Sequence, residues 1–207
     1  MAVSVALGDA YRLRLGGAVN GLLARLAAVW LILWDPRRPL YSAGLAAEVT
    51  ASWTEGAQEF TAAETARWLL ALTVLAGGRP GGPFRIPAGL VGSSASGGRL
   101  SDMTRLAPSV WLARAAAGAT AEECAGAVAS WLARLASSEP YRVANHVTLY
   151  ASRTDPRLTG RVIRRARPGA CPFCVALAER GYSPAAAGFP AHGHCHCTAE
   201  PEIGPKR

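Results

Sequence analysis

The feature that most constrains this chain is a cluster of soft donors near its C-terminal end. Cys171-Pro-Phe-Cys174 is followed, after seventeen residues, by His192-Gly-His-Cys195-His-Cys197. Four of the five cysteines and three of the four histidines fall within these 27 residues. Zinc takes thiolate and imidazole donors, four of them when the role is structural. A Cys-x2-Cys pair lets one tight turn present two sulfurs, and a second pair from a distant segment closes the tetrahedron. Cys171, Cys174 and His192, with one of Cys195 or Cys197, are the expected ligands of a structural zinc ion. A tetrahedral site cannot take all of His192, His194 and His196. Two disulfides would use the same cysteines, but disulfide-dense domains are small and spread their cysteines along the chain. Here they are concentrated and interleaved with histidine.

The chain has 207 residues, half of them hydrophobic, which is enough for one good core and excludes a disordered protein. The net charge is +8 and nearly all of the positive charge is arginine, Lys206 being the lone lysine. A basic balance permits contact with nucleic acid without requiring it. The apolar run Leu22–Trp34 superficially resembles a signal peptide, but Arg25 interrupts it and Asp35-Pro36 ends it without a small-residue cleavage site. The uninterrupted part, Leu26–Trp34, is too short to span a bilayer. It reads as a buried helix, so neither membrane association nor export is expected.

Periodicity predicts a mainly α-helical body. A first helix covers 8–34, with Leu13, Leu22, Leu23, Leu26, Trp30 and Leu33 as its apolar stripe. Pro36 and Pro39 break it. A second covers about 40–59, with Leu45, Val49, Trp53 and Phe60 toward the core. Thr61-Ala-Ala-Glu64 has the spacing of a capping box and predicts the start of a third helix, ending near Leu75. The Gly-, Pro- and Ser-rich stretch 77–99 reads as a linker or arm lying along another surface. Helix resumes near Ser101, and Thr120-Ala-Glu-Glu123 is a second capping box. Cys124, Val128, Trp131, Leu132 and Leu135 then follow on one face, where Cys124 is a small hydrophobe. Pro140 is a boundary, with a further helix over 141–152. The six tryptophans are expected in the core. The expected regions are therefore 1–76 and 100–152, both helical, the 77–99 linker, and a small α+β metal-binding module over 153–207.

Arg153, Arg157, Arg161, Arg164, Arg165 and Arg167 lead into the cysteine motif against a single acid, Asp155. A solvated face explains such a run. A strand over 161–164 whose arginines clamp phosphate or acidic patches explains it too. Val175–Arg180 reads as a short helix, 182–191 as a loop, and the tail from Thr198 as extended. Catalytic patterns are lacking. A zinc deaminase needs His-x-Glu and then Pro-Cys-x-x-Cys, but Ala170 precedes Cys171 and His146-Val-Thr148 lacks the glutamate; there is also no His-Glu-x-x-His, no phosphate loop and no Gly-x-Ser-x-Gly elbow. No enzymatic activity is expected.

The run from Arg161 through Gly169-Ala-Cys-Pro-Phe-Cys174-Val-Ala-Leu-Ala-Glu-Arg-Gly181 to His192-Gly-His-Cys-His-Cys-Thr-Ala-Glu-Pro201 resembles the Mu F-like minor capsid (head morphogenesis) proteins of tailed phages. It is most similar to the branch found in phages and prophages of actinobacteria. That resemblance covers residues 140–202. It carries a Cys-x2-Cys, His-x2-Cys-x-Cys motif onto Cys171, Cys174, His192, Cys195 and Cys197. It implies a structural protein of the virion, at the portal vertex or the capsid interior, assembled in the host cytoplasm. The implied partners are the portal and the major capsid protein, with DNA nearby. The alternative is a zinc-dependent nucleic-acid-binding protein or nuclease using the arginine run.

Overall fold

The computed structural model of the chain describes residues 2–78, 81–189 and 196–204. It is mainly helical. Three long helices dominate, α1 (Ala2–Leu33), α2 (Pro39–Leu75) and α5 (Ala121–Thr154), with the shorter α3 (Leu100–Thr104) and α4 (Ala107–Ala116) between them. A small three-stranded antiparallel sheet follows, formed by β1 (Leu158–Arg165), β2 (Ser183–Pro184) and β3 (Thr198–Ile203) in the order β2-β1-β3. Helix α6 (Pro172–Glu179) and a 3-10 turn (Ala185–Ala187) lie between the strands.

The expected break near residue 60 does not occur. Thr61 is buried inside α2, where its carbonyl accepts the Thr65 hydroxyl at 2.7 Å. Glu64 turns to Arg14 and Arg67 rather than to a cap. With no Gly or Pro across 57–75, nothing stops the helix. The second capping box does form. The Glu123 amide donates to the Thr120 hydroxyl at 3.2 Å and the Thr120 amide to the Glu123 carboxylate at 2.8 Å. Those bonds hold the Glu123 carboxyl below its ordinary range. Pro140, expected as a boundary, lies buried within α5. Tertiary packing on both sides of the proline outweighs its missing donor.

The core also differs from the expected stripes. The buried hydrophobic side chains described in α1 are Tyr11, Leu15, Val19 and Leu22, while Leu13 faces out. Trp53 and Phe60 of α2 are exposed, and its buried face is built from Ala43, Ala46, Ala47, Thr50, Thr54, Gln58, Thr61 and Thr65 before reaching Trp68, Leu69 and Leu72. Small side chains let α2 approach α1 and α5 closely. Trp68 stacks on Tyr11 with ring centroids 4.2 Å apart, at the centre of a core shared by α1, α2, α5 and Leu158 of β1. The Leu22–Trp34 run is not a buried helix. Of it only Leu22 is fully buried, and Leu31 and Ile32 are open to solvent. By length and composition Val5–Leu33 is apolar enough to cross a membrane, but it packs against α2 and α5 here.

The 81–99 stretch lies along the helices, as its apolar islands imply. Phe84 and Leu90 are buried. The Gln58 amide donates to the Ser93 carbonyl at 3.0 Å and accepts from the Gly92 amide at 2.8 Å. Glu139, buried in α5, accepts from Arg142 at 2.6 Å and from the Ala95 amide at 2.9 Å. These bonds fasten the loop across α2 and α5.

Candidate metal centre

Proline at the first helical position pre-sets the backbone for a helix, so α6 begins inside the cysteine motif rather than after it. Cys171 is the N-cap, Pro172 follows, and Cys174 lies in the first turn. Both sulfurs therefore sit at a helix N-terminus, which favours negative charge. The second half-site arrives on β3. The strand register pairs Arg165 with Thr198 and Val162 with Pro201, which places Cys197 beside the end of β1. Gly160, at φ +86°, accommodates the irregularity of β1 between Leu158 and Val162.

Cys174 and Cys197 are both buried, in one cluster that Ala166, Ala170, Cys171 and Phe189 pack around. Arg164 is itself 7 % exposed. Its guanidinium donates to the Cys174 sulfur at 3.7 Å and lies 3.8 Å over the Phe189 ring. A cation beside a sulfur suits the thiolate form that ligates metal. Cys124 stands apart from this cluster, buried on the apolar face of α5. Among the described residues no three His, Cys, Asp or Glu side chains stand in a metal-holding arrangement. The expected ligands His192 and Cys195, and the neighbouring His194, lie outside the described residues. The three described sulfurs have the donor chemistry that zinc prefers, and closing a tetrahedron would fall to that segment.

Two further residues, neither of them among the expected ligands, hold this region. Asn145, in the middle of the apolar face of α5, donates to the Cys197 carbonyl at 3.0 Å and accepts the Ala199 amide at 2.8 Å. It clamps both sides of Thr198 to the helical body. A lone asparagine among Tyr141, Val143 and Val147 was the available signal. Glu200, on β3, accepts from Arg165 at 2.5 Å and from Arg12 of α1. His196 stacks on Tyr141 of α5, with centroids 4.7 Å apart, and its Nδ1 lies 3.3 Å from Arg167. Burial pushes the Tyr141 hydroxyl up from its ordinary pKa, against the nearby Arg167.

The arginines of the run make contacts within the chain, although Arg153, Arg161, Arg165 and Arg167 remain exposed and only Arg164 is buried. Arg153 donates to the Leu149 carbonyl at 3.2 Å. Arg157 pairs with Asp155 at 2.7 Å and lies 4.2 Å over Phe84. Arg161 reaches Glu202 at 3.6 Å and the Tyr182 ring. Arg164, Arg165 and Arg167 go to the cysteine cluster, Glu200 and His196. The strand expected over 161–164 lies within β1, and the extended tail is β3. No family model, curated protein or solved structure matches the chain.

Proposed function

We propose that the chain is a structural minor capsid (head morphogenesis) protein of a tailed phage, associating with portal or capsid subunits through a helical body and carrying a zinc-stapled C-terminal segment. The observation that carries this reading is the meeting of Cys174 and Cys197 in one buried cluster, with Cys171 against it. Residues 23 positions apart, in the two halves of the motif shared with Mu F-like proteins, come together where a staple would act. When bound, zinc would supply a covalent tie between α6 and β3; Cys171, Cys174, His192 and one of Cys195 or Cys197 would hold it. Arg164 would balance the thiolates, and Asn145 would orient the strand that bears Cys197. A small segment with few apolar residues gains most from such a tie.

A zinc-dependent nucleic-acid-binding protein or nuclease is the weaker reading. The arginines it would use are engaged with Asp155, Glu200, Glu202 and aromatic rings. The test is co-expression with the portal and major capsid proteins of a tailed phage that encodes this chain. Co-purification that withstands high salt is expected. A stable monomer that ignores both proteins would overturn the assembly role, and DNA affinity that falls steeply with salt would favour the second reading.

A further inference from the structure

Two grooves on the helical body run into one another through Ser130 and Ala133 of α5. One, of about 490 Å³, lies between the second half of α1, α2 and α5, with Leu26, Trp30, Leu31, Val49 and Leu132 in its walls. The other, of about 950 Å³, continues past the end of α4 between Arg114 and Arg134. The floor is made of small residues on one face of α5, Gly126, Ala127, Ala129, Ser130 and Ala133.

Three observations say what covers it. Leu31 and Ile32 are 81 % and 80 % exposed on a stretch of helix that is apolar all round, and such a helix is stable when buried. Gly126 lies inside α5, where a methyl group in place of its hydrogen would meet nothing within 4 Å. Glycine there weakens the helix relative to alanine and leaves the surface open to close approach from outside. Finally, Arg134 enters no ion pair among the described residues. The acid of the lining, Glu123, is already engaged by Thr120. The net charge of +8 opposes stacking of a second copy and attracts an acidic partner.

We propose that this groove receives an amphipathic helix of a partner protein, its apolar face on Trp30, Leu31 and the small-residue floor and its acidic residues toward Arg114 and Arg134. This is helix-in-groove recognition. It is independent of the metal reading, since Ser130 lies roughly 20 Å along α5 from Asn145. The probe is a labelled synthetic helix of about five turns with leucines on one face and glutamates on the other, beside a counterpart in which lysine replaces glutamate. Binding is followed by fluorescence anisotropy on the full chain. The glutamate peptide is expected to bind, and to bind about tenfold more weakly to Ser130→Trp and to Arg134→Glu. Gly126→Ala, which should raise the melting temperature, should nonetheless weaken binding. Equal binding of the lysine peptide, binding indifferent to all three substitutions, or no binding of either peptide would overturn the proposal. So would a dimer broken by Ser130→Trp, or capture by phosphatidylglycerol vesicles, if the glutamate peptide stayed unbound.

Discussion

The α1–α2–α5 core and the cysteine cluster are both buried, but they are built from different material. The first holds Tyr11, Leu15, Trp68, Leu69, Val143 and Val147, large side chains from three long helices. The second holds Cys174 and Cys197, with Ala166, Ala170, Cys171 and Phe189 around them. Area removed from water contributes roughly 25 cal/mol per Å² of apolar surface, so the first region can hold itself and the second has little to hold it. Phe189 links it to the small apolar cluster of Leu149, Val162 and Ala185, and polar contacts add to this: the Asn145 clamp, the Glu200 pairs to Arg12 and Arg165, and Arg164 on Cys174. The difference teaches that burial alone does not identify a core. The chemistry of what is buried says whether a region is stable by packing or needs a tie.

The largest effect should come from breaking the self-sufficient side. Trp68→Ala removes the ring stacked on Tyr11 and should cost about 3–5 kcal/mol, measured by denaturant unfolding. The whole chain should lose stability, because β1 joins this core through Leu158. A smaller, local effect should follow from Asn145→Ala, which leaves the Cys197 carbonyl and the Ala199 amide without their partner. The expected cost is about 1–3 kcal/mol. Hydrogen exchange should show β3 amides losing protection while those of α2 keep theirs. Uniform loss across both would erase the distinction between the two regions.

The smallest effect lies on the helix that both regions share. His146 of α5 has its pKa pushed down, first by partial burial and then by Arg142 and Arg153, against Glu139. Folding therefore favours its neutral form. The stability this contributes is fully present above the ordinary value of 6.5 and declines as pH falls below it. Melting temperature between pH 7 and about 5.5 should fall slightly more for the wild type than for His146→Gln. An identical fall in the two would contradict the shift.

How much of this was legible in the sequence differs by element in an instructive way. The Thr120–Glu123 box, the helical class, the strand over 161–164 and the buried role of Cys124 followed from local spacing, and local spacing settles them. Thr61–Glu64 has the same spacing but lies mid-helix, because capping competes with continuation and nothing before it ends α2. The apolar face of α2 was misread because its packing surface is Ala, Ser and Thr, which hydrophobic periodicity passes over, while the conspicuous Trp53 and Phe60 face out. The Leu22–Trp34 run was legible as helix but not as surface, since composition does not say what lies alongside. In the candidate site, the two halves of the cysteine motif were readable. The Asn145 clamp and the pairing of Glu200 and Glu202 with arginines were not, because they depend on which residue of β3 lies opposite which residue of β1.

The proposed metal tie between α6 and β3 is open to direct test. The most direct measurement is zinc content by elemental analysis of the purified protein, wild type beside Cys174→Ser, with hydrogen exchange over β3. Stoichiometric zinc is expected in the wild type, and its loss in the variant together with protection of Thr198–Ile203 while the helical body stays folded. Wild-type protein purified without metal, its thiols titrating freely and β3 still protected, would contradict it.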